Sequence, residues 1–313
     1  MSFVGKKEQP LVTVGLPVFN MEKTIRTTIE SILNQRFKDF VLIISDNHST
    51  DSTVKICSEY KDLDSRIILY EQTKNISPCE NFEFSLKMCK TKYFVWIAGD
   101  DFWSDMFLEE SISILENKGV VGTLSGLISF GKKNDFKSKE SLRINDNETD
   151  YVIIKKNIFD SLIGNFQDRV QKFFSDLSPV IYGVFITTAL RKVLFNTRPP
   201  CESFWDLGII IGLLEIGEIH IVPKYLMYRF ISKKRLRIFA SQRFIAKKYR
   251  NFGLIVVKIL FPSLQFTTWI ISRFGWRFLL IHWKFFFKRN LDGFIGLIID
   301  MKNICNVFRS LFK

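Results

Sequence analysis

The first third of the chain alternates short apolar runs with segments of helical periodicity, and this alternation restricts the possible folds more than any other feature. Four runs rich in β-branched and aromatic residues recur about every 27 residues. They are Leu11–Leu16, Phe40–Ile44, Arg66–Tyr70 and Tyr93–Ala98. Strand and helix alternating at this spacing predict an α/β fold, with a mostly parallel sheet and right-handed crossover helices.

The helices between the runs are predicted from the spacing of apolar side chains. After the first run, Ile25, Ile29 and Ile32 fall on one helical face, and Asn20 is the predicted N-cap. Further helices are predicted at about residues 51–60, 81–89, 106–117 and 205–214, and a short strand at 219–222. Residues 132–150 are polar and indicate a loop.

Three polar segments each follow one of the apolar runs. They are Pro17–Asn20, Ser45–Asp51 and Gly99–Asp101. In open α/β sheets, ligands bind beyond the carboxyl ends of the strands. We therefore expect these segments to converge on one cleft.

Asp100 and Asp101 place two like charges at the end of a buried strand. Such a pair suits Mg²⁺ or Mn²⁺, which takes one or two protein carboxylates and completes its coordination with water and phosphate oxygens. Bound metal also relieves the repulsion between the two charges. Taken alone, however, the pair is better explained by a helix-capping Asp100 and a solvated Asp101.

The surrounding motifs favour the metal site. The stretches PVFNMEKTIRTTIESILNQ, FVLIISDNHSTD and YFVWIAGDD follow one another in order. Together they resemble the nucleotide-binding half of family 2 glycosyltransferases, which are inverting enzymes of the GT-A fold. The resemblance covers about residues 11–106. The forms of the second and third motifs resemble the branch that builds bacterial surface polysaccharides such as O-antigen and capsule.

The resemblance implies a donor site at the first two motifs. By position, Pro17 and Phe19 match the loop that packs against the donor base, and Glu22 matches the acid that follows it. Asp46 and Asn47 match the pair that reads base and ribose. Many family members have two aspartates there, but an Asn carbonyl still accepts from uracil or thymine N3–H, which favours a UDP or dTDP donor. Taken singly, Pro17 and Phe19 also suit an ordinary strand-to-helix turn, and Asp46 also suits an Asx-turn.

The resemblance also implies the metal and the catalytic base. Asp100 and Asp101 match the ribose and metal carboxylates, with Asp101 expected to contact Mg²⁺ or Mn²⁺ directly. The segment Cys201–Phe230 resembles the part of the family that carries the base, which makes Asp206 the expected base and Glu202, one turn earlier, the alternative. Asp206 also suits a first-turn acid favoured by the helix dipole.

The positive charge is concentrated in the last 83 residues. The whole chain has a net charge of +13, whereas residues 231–313 contain 17 Lys and Arg and 2 acids. Lys, Arg, Trp and Phe border apolar stretches there, including Trp269, Trp276 and Trp283. The pattern predicts helices lying in a membrane interface rather than spanning it. A helical subdomain that buries these stretches is the alternative, and long aliphatic runs disfavour nucleic-acid binding.

The cysteines and the N-terminus bear on the compartment. Five scattered cysteines without a CxxC pair argue against a zinc site or a disulfide framework and fit a reducing compartment. The polar first ten residues do not resemble a secretory signal.

These observations predict a metal-dependent inverting glycosyltransferase that moves a sugar from a nucleotide donor to a lipid-linked or polysaccharide acceptor. It would act peripherally at the cytoplasmic face of the cell membrane. Residues 1–230 would form the GT-A domain, with a nucleotide-sugar-binding half (11–106) and an acceptor half (107–230). Residues 231–313 would form the basic helical membrane-association region. A nucleotidyltransferase on a related sheet and a non-catalytic membrane-bound scaffold are the alternatives. Against the nucleotidyltransferase, this sequence lacks the Gly-rich, basic loop that is expected after the first strand to hold a triphosphate.

Overall fold

The computed structural model describes residues 9–136, 140–142, 151–175, 180–197, 199, 205–231 and 264–287. The helices are α1 Ile25–Leu33, α2 Thr53–Leu63, α3 Pro78–Met88, α4 Phe107–Lys118, α5 Phe166–Ser175, α6 Thr187–Arg191, α7 Trp205–Ile216 and α8 Leu264–Ile281. The strands are β1 Val12–Val18, β2 Phe40–Asp46, β3 Ile67–Glu71, β4 Tyr93–Trp96, β5 Phe102–Trp103, β6 Gly122–Lys132, β7 Ser141–Leu142, β8 Tyr151–Asn157, β9 Val184–Ile186 and β10 Ile219–Phe230. Contacts divide the chain into two units, Met1–Arg198 with Ile209–Phe230, and Pro199–Gly208 with Ile231–Lys313.

The first unit contains a mixed sheet of order β3-β2-β1-β4-β9-β6-β10-β5, with β8 paired to β6 and β7 paired to β8. The pairs β1–β2, β1–β4, β2–β3 and β6–β10 are parallel. Strand β9 is antiparallel to both β4 and β6, so those two strands run in the same direction. The carboxyl ends of β1, β2, β3, β4, β6 and β10 therefore lie along one edge of the sheet.

The core explains why the first strands read as continuous apolar runs. Every residue of β1 is buried, because helices cover both faces of this central strand. Helix α1 buries Ile25, Thr28, Ile29 and Ile32 on a single face. The predicted α/β class and its parallel strands are thus confirmed.

Three details differ from the prediction. Asn20 is not the N-cap of α1, because the helix begins at Ile25 and Thr24 occupies that position. The strand predicted at 219–222 continues to Phe230, since β10 pairs with β6 along its length. The predicted loop at 132–150 contains the short strand β7, and its residues 137–139 and 143–150 lie outside the described part.

Cysteine pairing also differs from the expectation. Cys57 and Cys89 are free and buried, as thiols of a packed core often are. Burial, reinforced by the charges of Asp46 and Asp51, raises the pKa of Cys57 to about 12. Cys79 is disulfide-bonded, which the scattered spacing of the cysteines did not predict.

In the second unit, α8 is broken at Gly275, whose φ of 78° lies outside the helical region. Phe266, Ile270, Phe278 and Phe286 are buried. Within the described ranges, no helix has both the length and the apolar character needed to cross a membrane. The remaining tail segments, 232–263 and 288–313, lie outside the described residues.

Candidate functional site

The segments that follow β1 and β2 lie side by side at the carboxyl edge of the sheet. The two strands are in parallel register, with Val18 opposite Asp46. Beyond the strands, the backbone N–H of Asn20 donates to Ser49 Oγ over 2.9 Å. The two loops are therefore held together at this edge of the sheet.

The loop after β1 exposes an aromatic ring. Pro17 is buried within the strand, whereas Phe19 is 41% exposed. Asn20 follows with a φ of 53°, a left-handed conformation that Asn tolerates, and its Oδ1 accepts the backbone N–H of Thr50 over 2.8 Å. Of the two residues expected to contact a donor base, Phe19 is thus the one with a large accessible surface.

Asp46 is 1% exposed and organises its own loop. Its Oδ2 accepts the backbone N–H of Ser49 over 2.8 Å, and its Oδ1 accepts the Ser49 hydroxyl over 2.5 Å. An ionised carboxylate offers about four lone-pair sites, so these bonds leave acceptor capacity for a ligand.

Asn47 connects the end of β2 to the segment after β3. Its Nδ2 donates to the Ile76 carbonyl over 2.9 Å, and its Oδ1 accepts the Ile76 N–H over 2.8 Å. The carbonyl of Asn47 accepts from Asn75 Nδ2 over 3.2 Å. An ionised aspartate could accept but not donate, so this pair of bonds gives a physical reason for Asn at a position where aspartate was expected.

Glu22 is exposed and links the segment after β1 to the segment after β2. Its Oε2 accepts the backbone N–H of Ser52, and its own N–H donates to Asp51 Oδ2, both over 3.2 Å. Burial alone raises the pKa of Asp51, but hydrogen bonds from Thr53 and from the Glu22 N–H outweigh it and hold the pKa below its usual value. Asp51 therefore stays ionised as the anchor of this turn.

Two threonines at the start of α1 hold the loop after β4. Thr24 Oγ1 donates to the Gly99 carbonyl over 2.7 Å, and Thr28 Oγ1 donates to the Asp101 carbonyl over 2.8 Å. A Cβ at Gly99 would lie 3.2 Å from Met21 Cγ, so the loop packs closely on the segment after β1. Sequence reasoning missed these contacts; the available signal was a buried threonine on the apolar face of α1.

The two adjacent aspartates have different surroundings. Asp101 is 3% exposed, and its Oδ1 accepts the backbone N–H of Phe230, the last residue of β10, over 3.0 Å. Asp100 is half-buried as a residue, and its Oδ1 is shielded from solvent. The structure therefore ties Asp101 to the sheet, and Asp100 is the less buried residue of the two.

Two adjacent carboxylates are the type of donor that a divalent cation uses. Among the described residues, no group of three or more His, Cys, Asp and Glu side chains is arranged to hold a metal. Mg²⁺ does not require such a cage, because it is commonly held by one or two carboxylates together with substrate phosphates. Asp100 beside Asp101 belongs to that type of donor set.

The expected catalytic base lies in α7. Asp206 is half-buried in the first turn of α7, and residues 205–208 of that helix belong to the second unit. Glu202 lies outside the described residues. The roles of both residues stay predictions.

Comparison with curated proteins gives partial matches to glycosyltransferases. The chain is 30% identical over 133 residues to an uncharacterized glycosyltransferase of Methanocaldococcus jannaschii, covering 42% of this chain and 46% of that protein. It is 32% identical over 110 residues to Escherichia coli WfaP, named a UDP-Glc:alpha-D-GlcNAc-diphosphoundecaprenol beta-1,3-glucosyltransferase, covering 35% of this chain and 43% of WfaP. The chain thus spans less than half the length of these two relatives.

Comparison with solved structures supports the fold. Staphylococcus aureus TarS 1–349 in complex with UDP-GlcNAc has a TM-score of 0.53 at 15% identity, covering 92% of this chain and 81% of that one. The mannosyltransferase PcManGT of Pyrobaculum calidifontis, in complex with GDP-Man and Mn²⁺, has a TM-score of 0.51 at 14% identity, covering 76% and 62%. The predicted GT-A fold is confirmed by these likenesses.

The family itself is identified from the sequence profile. The family model described as Glycosyl transferase family 2 matches residues 13–176, which include β1 to β4, the loops after them and both aspartates. Because this match covers more than half of the chain, the protein belongs to glycosyl transferase family 2.

Proposed function

We propose that this protein transfers a sugar, with inversion, from a nucleoside-diphosphate donor to a hydroxyl group of a glycan acceptor during surface polysaccharide synthesis. The observation that carries the proposal is the convergence of three strand-end loops at one edge of the sheet. They bring an exposed Phe19, the buried pair Asp46 and Asn47, and the half-buried Asp100 to the same edge of the sheet, fastened by the hydrogen bonds of Asn20 and Thr24.

In this proposal the donor lies along the ends of β1, β2 and β4. Phe19 packs against the base, and Asp46 accepts hydrogen bonds from base or ribose, with Asn47 holding its loop in place. A UDP or dTDP donor is favoured, and the support for UDP is that TarS was solved with UDP-GlcNAc and that the name of WfaP specifies UDP-Glc. The name of WfaP also supports an acceptor linked to a lipid diphosphate.

We assign the metal contact to Asp100 rather than Asp101. Asp101 is buried and bonded to the Phe230 N–H, which suits a residue that positions the loop. When bound there, Mg²⁺ or Mn²⁺ supplies neutralisation of the charge that develops on the diphosphate. Asp206, with Glu202 as the alternative, takes the proton of the acceptor hydroxyl.

Donor binding tests the proposal directly. We expect UDP to bind with Mn²⁺ present and to bind much more weakly after EDTA treatment, because the diphosphate and Asp100 share the cation. With a panel of nucleotide sugars, slow hydrolysis of one donor should identify the sugar. Calorimetry for UDP and chromatography for released sugar measure these results.

Each alternative predicts a different outcome. Binding of a nucleoside triphosphate with pyrophosphate release would identify a nucleotidyltransferase. Nucleotide binding without any sugar release or transfer would favour a scaffold. Donor hydrolysis unaffected by exhaustive EDTA would contradict the metal assignment.

We also propose that the second unit attaches the protein to an anionic membrane surface. After the break at Gly275, large apolar side chains project from one side of the helical stretch, at spacings of four, three and four residues. They are Trp276 (65% exposed), Leu280 (66%), Trp283 (54%) and Phe287 (62%). We call these four residues the apolar face. Arg273, just before the break, and Arg277 and Lys284 after it are exposed, and residues 264–287 contain no acid.

The apolar face and the cations supply different kinds of affinity. Each Lys or Arg near an anionic leaflet contributes about 1 kcal/mol, which salt screens. Burial of exposed tryptophans contributes about 25 cal/mol per Å² of apolar surface, which salt does not screen. Trp269 belongs to neither group, because it is half-buried and stacks on Phe266 with ring centroids 6.0 Å apart.

Co-sedimentation with phosphatidylserine vesicles separates the two contributions. The full chain should bind at low salt and stay partly bound in 1 M NaCl. A Trp276→Ser, Trp283→Ser double variant should bind at low salt but dissociate in 1 M NaCl. Leu63→Ser removes an isolated side chain that is 83% exposed in the first unit, and it is the matched control.

Two results would contradict the membrane proposal. Absence of the wild-type chain from the vesicle pellet at low salt would exclude attachment to an anionic surface. A double variant that stays bound in 1 M NaCl as well as the wild type does would exclude the apolar face.

A further inference from the structure

Five aromatic side chains form a continuous cluster beside the two aspartates, and the donor site described above gives them no role. We call this cluster the aromatic platform; it consists of Phe102, Phe130, Tyr151, Tyr228 and Phe230. Phe102 and Tyr228 stack face to face, with ring centroids 4.5 Å apart and an angle of 8°. Phe130 lies 5.3 Å from Phe102, 5.6 Å from Phe230 and 5.7 Å from Tyr151.

Strand pairing sets the platform on one face of the sheet. Phe102 of β5 lies opposite Tyr228 of β10, and Phe130 of β6 lies opposite Phe230 of β10. Tyr228 and Phe230 are two residues apart, so their side chains point to the same face. The rings thus form a row across β5, β10, β6 and β8, where β6 and β10 reach their carboxyl ends.

The platform is fastened to the loop that carries Asp100. Phe102 directly follows Asp101 in the chain, and the Phe230 N–H donates to Asp101 Oδ1 over 3.0 Å. A ligand lying on these rings would therefore be placed beside the two carboxylates.

The platform is not a closed core. Phe130 is buried, but the other four rings are only half-buried. The hydroxyl groups of Tyr151 and Tyr228 form no hydrogen bond with any residue in the described ranges. Half-buried aromatic side chains with an available polar tip are typical of surfaces that contact a ligand.

The order of the strands decides which part of the reaction the platform serves. Phe19 and Asp46 lie at β1 and β2, and Asp100 follows β4 in the middle of the sheet. The platform lies beyond them, toward β6, β10 and β5. A donor whose base lies at β1 and whose diphosphate lies at Asp100 leaves the platform side for the acceptor.

We propose that the aromatic platform binds a pyranose ring of the acceptor glycan. The C–H face of a pyranose is apolar with weakly positive hydrogens, and it complements the negative face of an aromatic ring. The Tyr228 and Tyr151 hydroxyls, which have no hydrogen-bond partner within the described ranges, can bond the hydroxyl groups at the rim of the sugar. This inference rests on the proposed function and adds to it the position and chemistry of the acceptor site.

Saturation-transfer NMR of the full chain with UDP and Mg²⁺ tests the platform, with the methyl glycosides of glucose, galactose, mannose and N-acetylglucosamine as probes. We expect saturation of the ring C–H protons of at least one probe. Tyr228→Leu keeps apolar volume but removes the ring. It should lower the affinity for that probe by about tenfold, which is the scale of one lost aromatic contact. Tyr228→Phe keeps the ring and should bind within about threefold of the wild type.

Tyr225→Leu is the matched control, because Tyr225 lies on the same strand, is 38% exposed and is not part of the platform. Tyr151→Leu provides a second loss of a ring at the opposite end of the platform, in case Tyr228→Leu does not fold by circular dichroism. The platform is excluded by either of two results: no saturation of any probe by the wild type, or equal binding by the wild type and a folded Tyr→Leu platform variant. UDP calorimetry on the same samples tests the proposed function separately from the platform. A chain that fails to bind UDP overturns the proposed function, whatever the glycosides show.

Discussion

Replacement of Asp206 by asparagine is expected to lower the rate of sugar transfer by about 10²–10⁴, the usual contribution of a general base. Asparagine keeps the size and polarity of the side chain but cannot take a proton from the acceptor hydroxyl. Asp206 occupies the first turn of α7 and is half-buried, so an isosteric change there should leave the fold intact. Initial rates with a saturating donor measure the effect.

Two further measurements identify the base. UDP affinity of Asp206→Asn should stay near that of the wild type, because the proposed donor contacts lie at β1, β2 and β4. Loss of a base should also remove the acidic limb of the pH–rate profile, which a merely structural defect would not do. If Asp206→Asn keeps nearly full activity while Glu202→Gln is inactive, the base is Glu202, one turn earlier.

Substitution of Asp100 should weaken metal-dependent nucleotide binding, whereas substitution of Asp101 should mainly lower the stability of the fold. Asp100→Asn is expected to weaken Mn²⁺-dependent UDP binding by about 100-fold or more, since even outer-sphere partners of a metal are worth about 10–100-fold. Its thermal stability should change little, because Asp100 is only half-buried. Calorimetry with and without EDTA measures the difference.

Asp101 should affect stability instead. Asp101→Ala leaves the Phe230 N–H without its carboxylate acceptor, and an unpaired buried group costs about 1–3 kcal/mol. Asp101→Asn keeps an oxygen for that N–H and should recover most of the stability and much of the UDP affinity. If Asp101→Asn loses Mn²⁺-dependent UDP binding while Asp100→Asn keeps it, the direct metal contact is Asp101, as the family resemblance implies.

The four regularly spaced β-rich runs were sufficient to predict the first four strands, their parallel pairing and the edge of the sheet at which a ligand would bind. These features depend on local periodicity and on the requirement that crossover helices cover both faces of a parallel sheet. The positions of Phe19, Asp46 and Asp100 at strand ends followed for the same reason. The concentration of positive charge after residue 230 is also a property of the sequence alone.

Only the tertiary structure showed what each site residue contacts. Asn47 pairs with Ile76 and Asp101 pairs with Phe230, and each of these bonds joins residues far apart in the chain. Thr28 of α1 donates a hydrogen bond to the backbone carbonyl of Asp101, in the loop after β4. No local pattern encodes such bonds, because they exist only once the strands and helices have packed.

The aromatic platform shows the same division most clearly. The sequence contains 32 Phe and 8 Tyr residues, and nothing in their spacing distinguishes the five that meet. Phe102 and Tyr228 come together because β5 pairs antiparallel to β10, while Phe130 and Phe230 come together because β6 and β10 are parallel and in register. The sequence thus contains many aromatic residues, and long-range strand pairing determines which of them form a surface beside Asp100 and Asp101.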